Sequence, residues 1–292
     1  VFPEYAEKGK CSHDLEAISE RARDLLAVLD SSNLTNIYLN KDEDKVDEYL
    51  RKMITSQFDI ENIYKECYSD ISKKEIKNIL ENPSLYSDYE IKNVFASFPN
   101  KMKQNLCNLA KGILYSLSTY QEESYINIFD DAINLQKVQN CWHGTIYYNN
   151  YNSVRLPNGD IIYSIPYEDI ESTYYSYQQE YEYYRRNSTS DLEYIEGCAE
   201  IAGNVIMSQI FIDGNKRTTK CLFNAMLAVK GIVPPILNFC NSESDLFEQF
   251  AYNRGNRFRP AKKTILEETL KIAKYFNNDS KENAANKEYV KK

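Results

Sequence analysis

The sequence predicts an all-α, mainly helical protein carrying one small β-hairpin. Three observations support that expectation. Apolar residues recur at three- and four-residue spacing through most of the chain, and Ser-led capping signals open several of these stretches. Only the segment between Trp142 and Pro166 alternates in β fashion around a turn.

The elements follow in order. Ser12, His13 and Asp14 precede Leu15, Ile18, Ala22, Leu25 and Leu29, a helical stripe with a capping signal. Ser72 to Glu75 and Ser87 to Glu90 each fit a capping box, and Pro83 and Pro99 punctuate helical patterns. These signals predict helices near 45–56, 59–68, 73–81, 88–97, 100–118 and 121–137. In the next stretch, 144–148 and 153–156 are β-prone, Pro157-Asn158-Gly159-Asp160 is a turn, and 161–165 can return as a second strand. Helical spacing then resumes with Tyr174, Tyr177, Tyr181 and Tyr184 on one face. Ser190 and Glu193 open a helix whose apolar face runs from Leu192 to Ile210. Cys221, Leu222, Ala225, Met226 and Val229 line a following helix, ended by Gly231 and Pro234-Pro235. A last helix is expected over 262–276, with a polar, flexible tail over 277–292.

Length and composition bound the function. The chain has 292 residues, 42% of them hydrophobic, enough for a real core. No apolar run approaches the roughly 18 residues of a membrane helix, and the first thirty residues mix acids and bases where a signal core would be apolar. No membrane partner is expected. A net charge of −8 argues against nucleic acid as a partner. Seven scattered cysteines without Cys-x-x-Cys spacing, and two histidines, read as reduced thiols of a cytoplasmic protein with no zinc site.

Anion-binding chemistry concentrates at one place, residues 209–220, Gln-Ile-Phe-Ile-Asp-Gly-Asn-Lys-Arg-Thr-Thr-Lys. Gly214 can adopt backbone angles that turn amides inward, and the helix beginning near Asn215 adds its amides and positive dipole end. Lys216, Arg217 and Lys220 place three cations where a helix dipole favours acids, which points to an anionic ligand. Asp213 can hold Mg²⁺ while phosphate oxygens complete the shell. The combination points to a nucleotide.

The segment resembles the Fic/Doc (Fido) family, whose motif is His-x-Phe-x-Asp/Glu-Gly/Ala-Asn-x-Arg. Phe211, Asp213, Gly214, Asn215 and Arg217 match it, Lys216 resembles Doc-type variants, and Lys220 replaces a second arginine of the Fic-type motif. The resemblance implies a helical core over 100–240, with a hairpin flap at 144–165 that docks a target protein and a motif loop at 209–220. It leaves 1–99 as an N-terminal helical extension and 241–276 as a C-terminal helical region. It also implies that Asp213 binds Mg²⁺, that Gly214 and Asn215 line the phosphate hole, and that Arg217 holds the terminal phosphates. The family's usual reaction moves AMP from ATP to a protein Ser, Thr or Tyr hydroxyl. Other members transfer UMP, GMP, phosphate or phosphocholine, and the fold also hosts glycosyl transfer. A toxin, or an effector secreted into a host cell, would suit the family.

Gln209 stands where the family has its catalytic histidine. A carboxamide cannot accept the hydroxyl proton at neutral pH, and such general-base help is typically worth about 10² to 10⁴ in rate. It can still hydrogen-bond a substrate. Three readings stay open: a transferase whose base is Asp213, the donor phosphate, His143 or the target; a degenerate domain that only binds; and an introduced substitution. Many family members also carry an inhibitory Ser/Thr-x-x-x-Glu-Gly/Asn helix. Leu192 precedes Glu196-Gly197 and Gln57 precedes Glu61-Asn62, so no true copy is expected. Two further features have a bland and a sharp reading. The tyrosines of 174–184 are core packing or a partner surface, and the cluster Arg254, Arg257, Arg259, Lys262 and Lys263 is a solvated patch or an acidic-ligand site, with Phe258 placed to stack on a base.

Overall fold

The computed structural model describes residues 8–29, 34–41, 44–121, 124–139, 152–238 and 246–289. Among them the N-terminal helices are α1 (Lys8–Val28), α2 (Leu34–Leu39), α3 (Lys45–Thr55), α4 (Ile60–Glu66), α5 (Lys73–Glu81) and α6 (Asp88–Ser97). Then come α7 (Asn100–Thr119), α8 (Ile128–Val138), the strands β1 (Ser153–Arg155) and β2 (Ile161–Tyr163), and α9 (Ile170–Asn187). The last four are α10 (Asp191–Ser208), α11 (Asn215–Ala228), α12 (Leu246–Tyr252) and α13 (Arg259–Tyr289). Among the described residues the protein is all-α apart from one antiparallel hairpin.

Caps explain several boundaries. Ser87 and Glu90 complete a reciprocal capping box at α6, whereas Ser72 of α5 and Ser190 of α10 accept only from the amide three residues on. Glu193 reaches past Ser190 to the amide and hydroxyl of Thr189. Helix α8 begins at Ile128, later than the sequence pattern suggests, because the Asn127 side chain accepts from the amides of Phe129 and Asp130. Helix α1 starts ahead of the Ser12 signal, and α13 starts three residues early at Arg259. The backbone of α13 stays helical through Tyr289, where a flexible tail from 277 was expected. The short helices α2 and α12 have no clear pattern in the sequence.

Buried apolar side chains from Leu15 to Ala273 form one cluster, so the N-terminal helices share a core with the motif helices. Helix α7 packs against α1, α3, α8 and α11, while α10 packs against α9, α11, α12 and α13. Helix α11 is buried on all sides, as a central helix should be. Its register against α10 is fixed by Tyr194, whose buried hydroxyl donates to the Met226 carbonyl at 2.6 Å. Gly203 of α10 permits another close approach: a Cβ there would sit 2.7 Å from the Phe258 ring and 2.8 Å from Phe250.

The hairpin pairs Ser153 with Tyr163, Val154 with Ile162 and Arg155 with Ile161. Its turn closes through Gly159, at φ 93°, a backbone angle that favours glycine. The hairpin docks on the end of α10, because Ile165 N donates to Ser208 O at 3.1 Å. The expected strand at 144–148, together with Trp142 and His143, lies outside the described residues.

Candidate functional site

The junction of α10 and α11 is built by two residues with positive φ. Gln209 ends α10 at φ 48° and Gly214 precedes α11 at φ 86°, so the chain reverses within five residues. Between them Phe211 is buried and anchors the loop in the core. Asn215 locks it from the other side: its Oδ1 accepts from Phe211 N at 3.0 Å, and its Nδ2 donates to Phe211 O at 2.7 Å. Asn215 is thus the residue that shapes the loop.

Asp213 and Arg217 face each other one helical turn apart. Asp213 Oδ1 accepts from Gly214 N at 2.7 Å, and Oδ2 pairs with the Arg217 guanidinium at 2.6 Å. The Asp213 carboxylate is 45% exposed, so the pair is worth about 0–1 kcal/mol and parts readily when a ligand competes for it. Lys216 lies over the Phe247 ring at 4.2 Å, a cation-π contact that steadies it against α12.

Gln209 itself is 3% exposed, and its amide nitrogen donates back to the Ile206 carbonyl. The carboxamide is therefore held by its own helix. Lys220 departs from the expected role. It is fully buried and donates to Ser56 Oγ at 3.0 Å and to the Leu237 carbonyl, so it fastens α11 to the end of α3 and does not line the cavity. One turn further into α11 than Lys216, it meets packed protein in place of solvent.

The cavity above this loop measures about 710 Å³. Gln209, Ile212, Asp213, Gly214, Asn215, Lys216 and Arg217 form its floor, and Asn152, Ser153 and Val154 bring the hairpin edge to its rim. The opposite wall comes from elements to which the motif gave no clue. Gln57 precedes α4, Asp59 caps it, and Asn62, Ile63 and Glu66 belong to it, while α7 adds Lys101, Met102, Asn105, Leu106 and Leu109. The spacing from Gln57 to Asn62 was the one trace of that wall in the sequence. Glu61 turns the other way and pairs with Lys73 and Lys65, while Arg217 pairs with Asp213.

Mg²⁺ fits the site on one condition. Among the described residues no group of three or more His, Cys, Asp or Glu side chains converges to hold a metal. Asp213 on the motif loop can supply one carboxylate to an ion whose remaining ligands are water and phosphate, the usual arrangement for Mg²⁺ bound with a nucleotide.

Two other sequence features resolve. Tyr174 and Tyr181 are buried and Tyr177 and Tyr184 half-buried, so this face of α9 is core packing. Burial pushes the Tyr174 hydroxyl far above its ordinary range, which makes it a poor nucleophile. In the basic cluster, Arg257 and Lys262 pair with Glu200 at 2.7 and 2.6 Å, and Phe258 is buried against Phe250. Phe258 is not placed to stack on a base. Among the described residues no helix is long and apolar enough to cross a membrane.

Comparison with solved structures bears on the fold. The chain superposes on the crystal structure of a Fic domain containing signaling protein from Bacteroides thetaiotaomicron VPI-5482, with a TM-score of 0.54 and 15% sequence identity over 90% of this chain and 96% of that one. The fold is Fic-like. No protein-family model and no curated protein matches the sequence. At this identity the likeness speaks for the Fic-like fold, and the chemistry must be argued from the site.

Proposed function

We propose that this Fic-like protein binds a magnesium-complexed nucleotide in the 710 Å³ cavity and transfers a nucleotide-derived group, AMP from ATP by default, to a protein hydroxyl. The observation that carries the reading is the joining of Asp213, Arg217 and the amides of the first turn of α11 at the floor of a cavity whose rim is a hairpin edge. A triphosphate entering there separates the weak Asp213–Arg217 pair. Arg217 then turns to phosphate oxygens, and Asp213 becomes free to hold the ion. Bound there, Mg²⁺ would neutralise phosphate charge. The Arg217 guanidinium and the α11 amides stabilise charge that develops during transfer, and phosphoryl-type chemistry depends mainly on such positioning and electrostatics. A target strand pairing with the hairpin edge would carry its hydroxyl over the loop. The hydroxyl oxygen bonds to the α-phosphorus as the bond to pyrophosphate breaks, and its proton leaves to the donor phosphate, because Gln209 cannot take it and Asp213 is engaged with the ion.

A second reading is a binding module without transfer. It is favoured by Gln209, whose carboxamide is buried and bonded to Ile206. Labelled nucleoside triphosphates incubated with target extracts separate the two. Transfer by the Gln209 protein that is lost in Asp213→Ala supports the enzyme; transfer only by Gln209→His supports the silent binder.

A further inference from the structure

We infer that Gln57, far outside the motif in sequence, contacts the ligand, its side-chain amide donating to a phosphoryl oxygen. This deepens the nucleotide reading above and rests on it. Gln57 is 3% exposed and lines the cavity, and its Nε2 has no hydrogen-bond partner in the protein. A donor buried this way has lost water without gaining an acceptor, a state that folded proteins rarely keep without a use. A ligand oxygen supplies the missing partner once the carboxamide turns its Nε2, now without accessible surface, toward the cavity that Gln57 lines.

The position of Gln57 is fixed from both sides. Its backbone amide donates to Ile54 O at 3.0 Å, and the next residue, Phe58, is buried. The residue before it, Ser56, accepts from Lys220 of α11 at 3.0 Å. That bond ties the Gln57 segment to the helix whose first turn presents Lys216 and Arg217, and all three residues line the same cavity. Lys220 is meanwhile bonded to Ser56 and Leu237. Where the sequence leads one to expect a second cation, the cavity therefore offers a neutral donor from a different element.

The charges lining the cavity agree. Lys101, Lys216 and Arg217 are matched by Asp59, Glu66 and Asp213. With formal charge balanced, recognition of a phosphoryl group rests on directed hydrogen bonds more than on net attraction.

Calorimetric titration of wild-type protein and Gln57→Leu with Mg²⁺–ATP and with magnesium tripolyphosphate tests the inference, alongside urea unfolding of each. Gln57→Leu should raise both dissociation constants about tenfold, the loss of one hydrogen bond to a charged acceptor. Its unfolding midpoint should stay equal or rise, because an apolar group replaces a buried unpaired donor. A residue with a purely structural role would not separate binding from stability in this way. Gln57→Met, closer in shape, gives the same comparison should leucine not pack. Unchanged binding in Gln57→Leu, with Arg217→Ala still weakened, overturns the role of Gln57 and leaves the nucleotide reading standing. Weaker ATP with unchanged tripolyphosphate overturns the phosphoryl assignment. A wild-type protein that binds neither ligand overturns both readings.

Discussion

Asn215 shows how much of the site rests on single side chains. Its two bonds satisfy both backbone groups of buried Phe211, so Asn215→Ala leaves a donor and an acceptor without partners. The expected cost is about 2–6 kcal/mol, two groups at the usual penalty for a buried unsatisfied polar atom, read as a lowered urea midpoint. Asn215→Asp keeps the acceptor and should lose about half as much. Gln209 differs in kind. It adopts a left-handed backbone that glycine takes without strain, so Gln209→Gly should keep the fold even though it loses the bond to Ile206. An unfolded Gln209→Gly protein would mean that the carboxamide, and not the backbone turn, holds the loop.

At the scale of elements, α10 and α11 deliver the site because they are packed at close range. Gly203→Ala drives a methyl group into the Phe258 and Phe250 rings, and overpacking of that kind costs about 1–3 kcal/mol in unfolding experiments. Arg257 and Phe258, both at positive φ, bring that ring into place, and its burial offsets the strained backbone. Much at this scale was legible in the sequence. Capping residues and apolar spacing located α3, α5, α6, α7, α10 and α11 to within a residue or two, because those helices are set by local chemistry. The short helices α2 and α12 carry too few turns to show a period. The motif loop was legible too, as Asp213 to Arg217 act on one another across a single turn. Lys220 was misread because its surroundings, Ser56 and Leu237, are supplied by distant segments. The α4–α7 wall was invisible for the same reason: nothing in the local pattern of Gln57 or Asn105 says that they meet the motif.

Across the whole molecule, one core joins the first helix to the last, and Glu200 is a long-range tie within it. Its carboxylate accepts from Arg257 and Lys262, both beyond the motif. Burial would raise its pKa, but the bonds from Lys262 and Arg257 outweigh burial and leave it below the ordinary carboxylate value. A group depressed in the folded state contributes stability above its unfolded pKa of about 4.3 and loses it as pH falls through the folded value. Nearby Glu180 acts in the opposite sense, since burial and then the Glu200 charge raise its pKa, so it favours the fold at lower pH. Glu200→Gln should therefore lower the unfolding free energy from urea titration at pH 7 by about 1–3 kcal/mol and flatten the loss between pH 5 and 3. Lys262→Ala should cost more than Arg257→Ala, because the Lys262 side chain is 16% exposed and that of Arg257 71%.

The central claim is that the loop between α10 and α11 holds the phosphates of a nucleotide. Titration calorimetry of Mg²⁺–ATP against wild-type and Arg217→Ala protein addresses it most directly, with circular dichroism to confirm that both are folded. The account predicts saturable binding by the wild-type protein, weakened about tenfold or more when the guanidinium is removed. No binding by the wild-type chain, or equal affinity in Arg217→Ala, would contradict it.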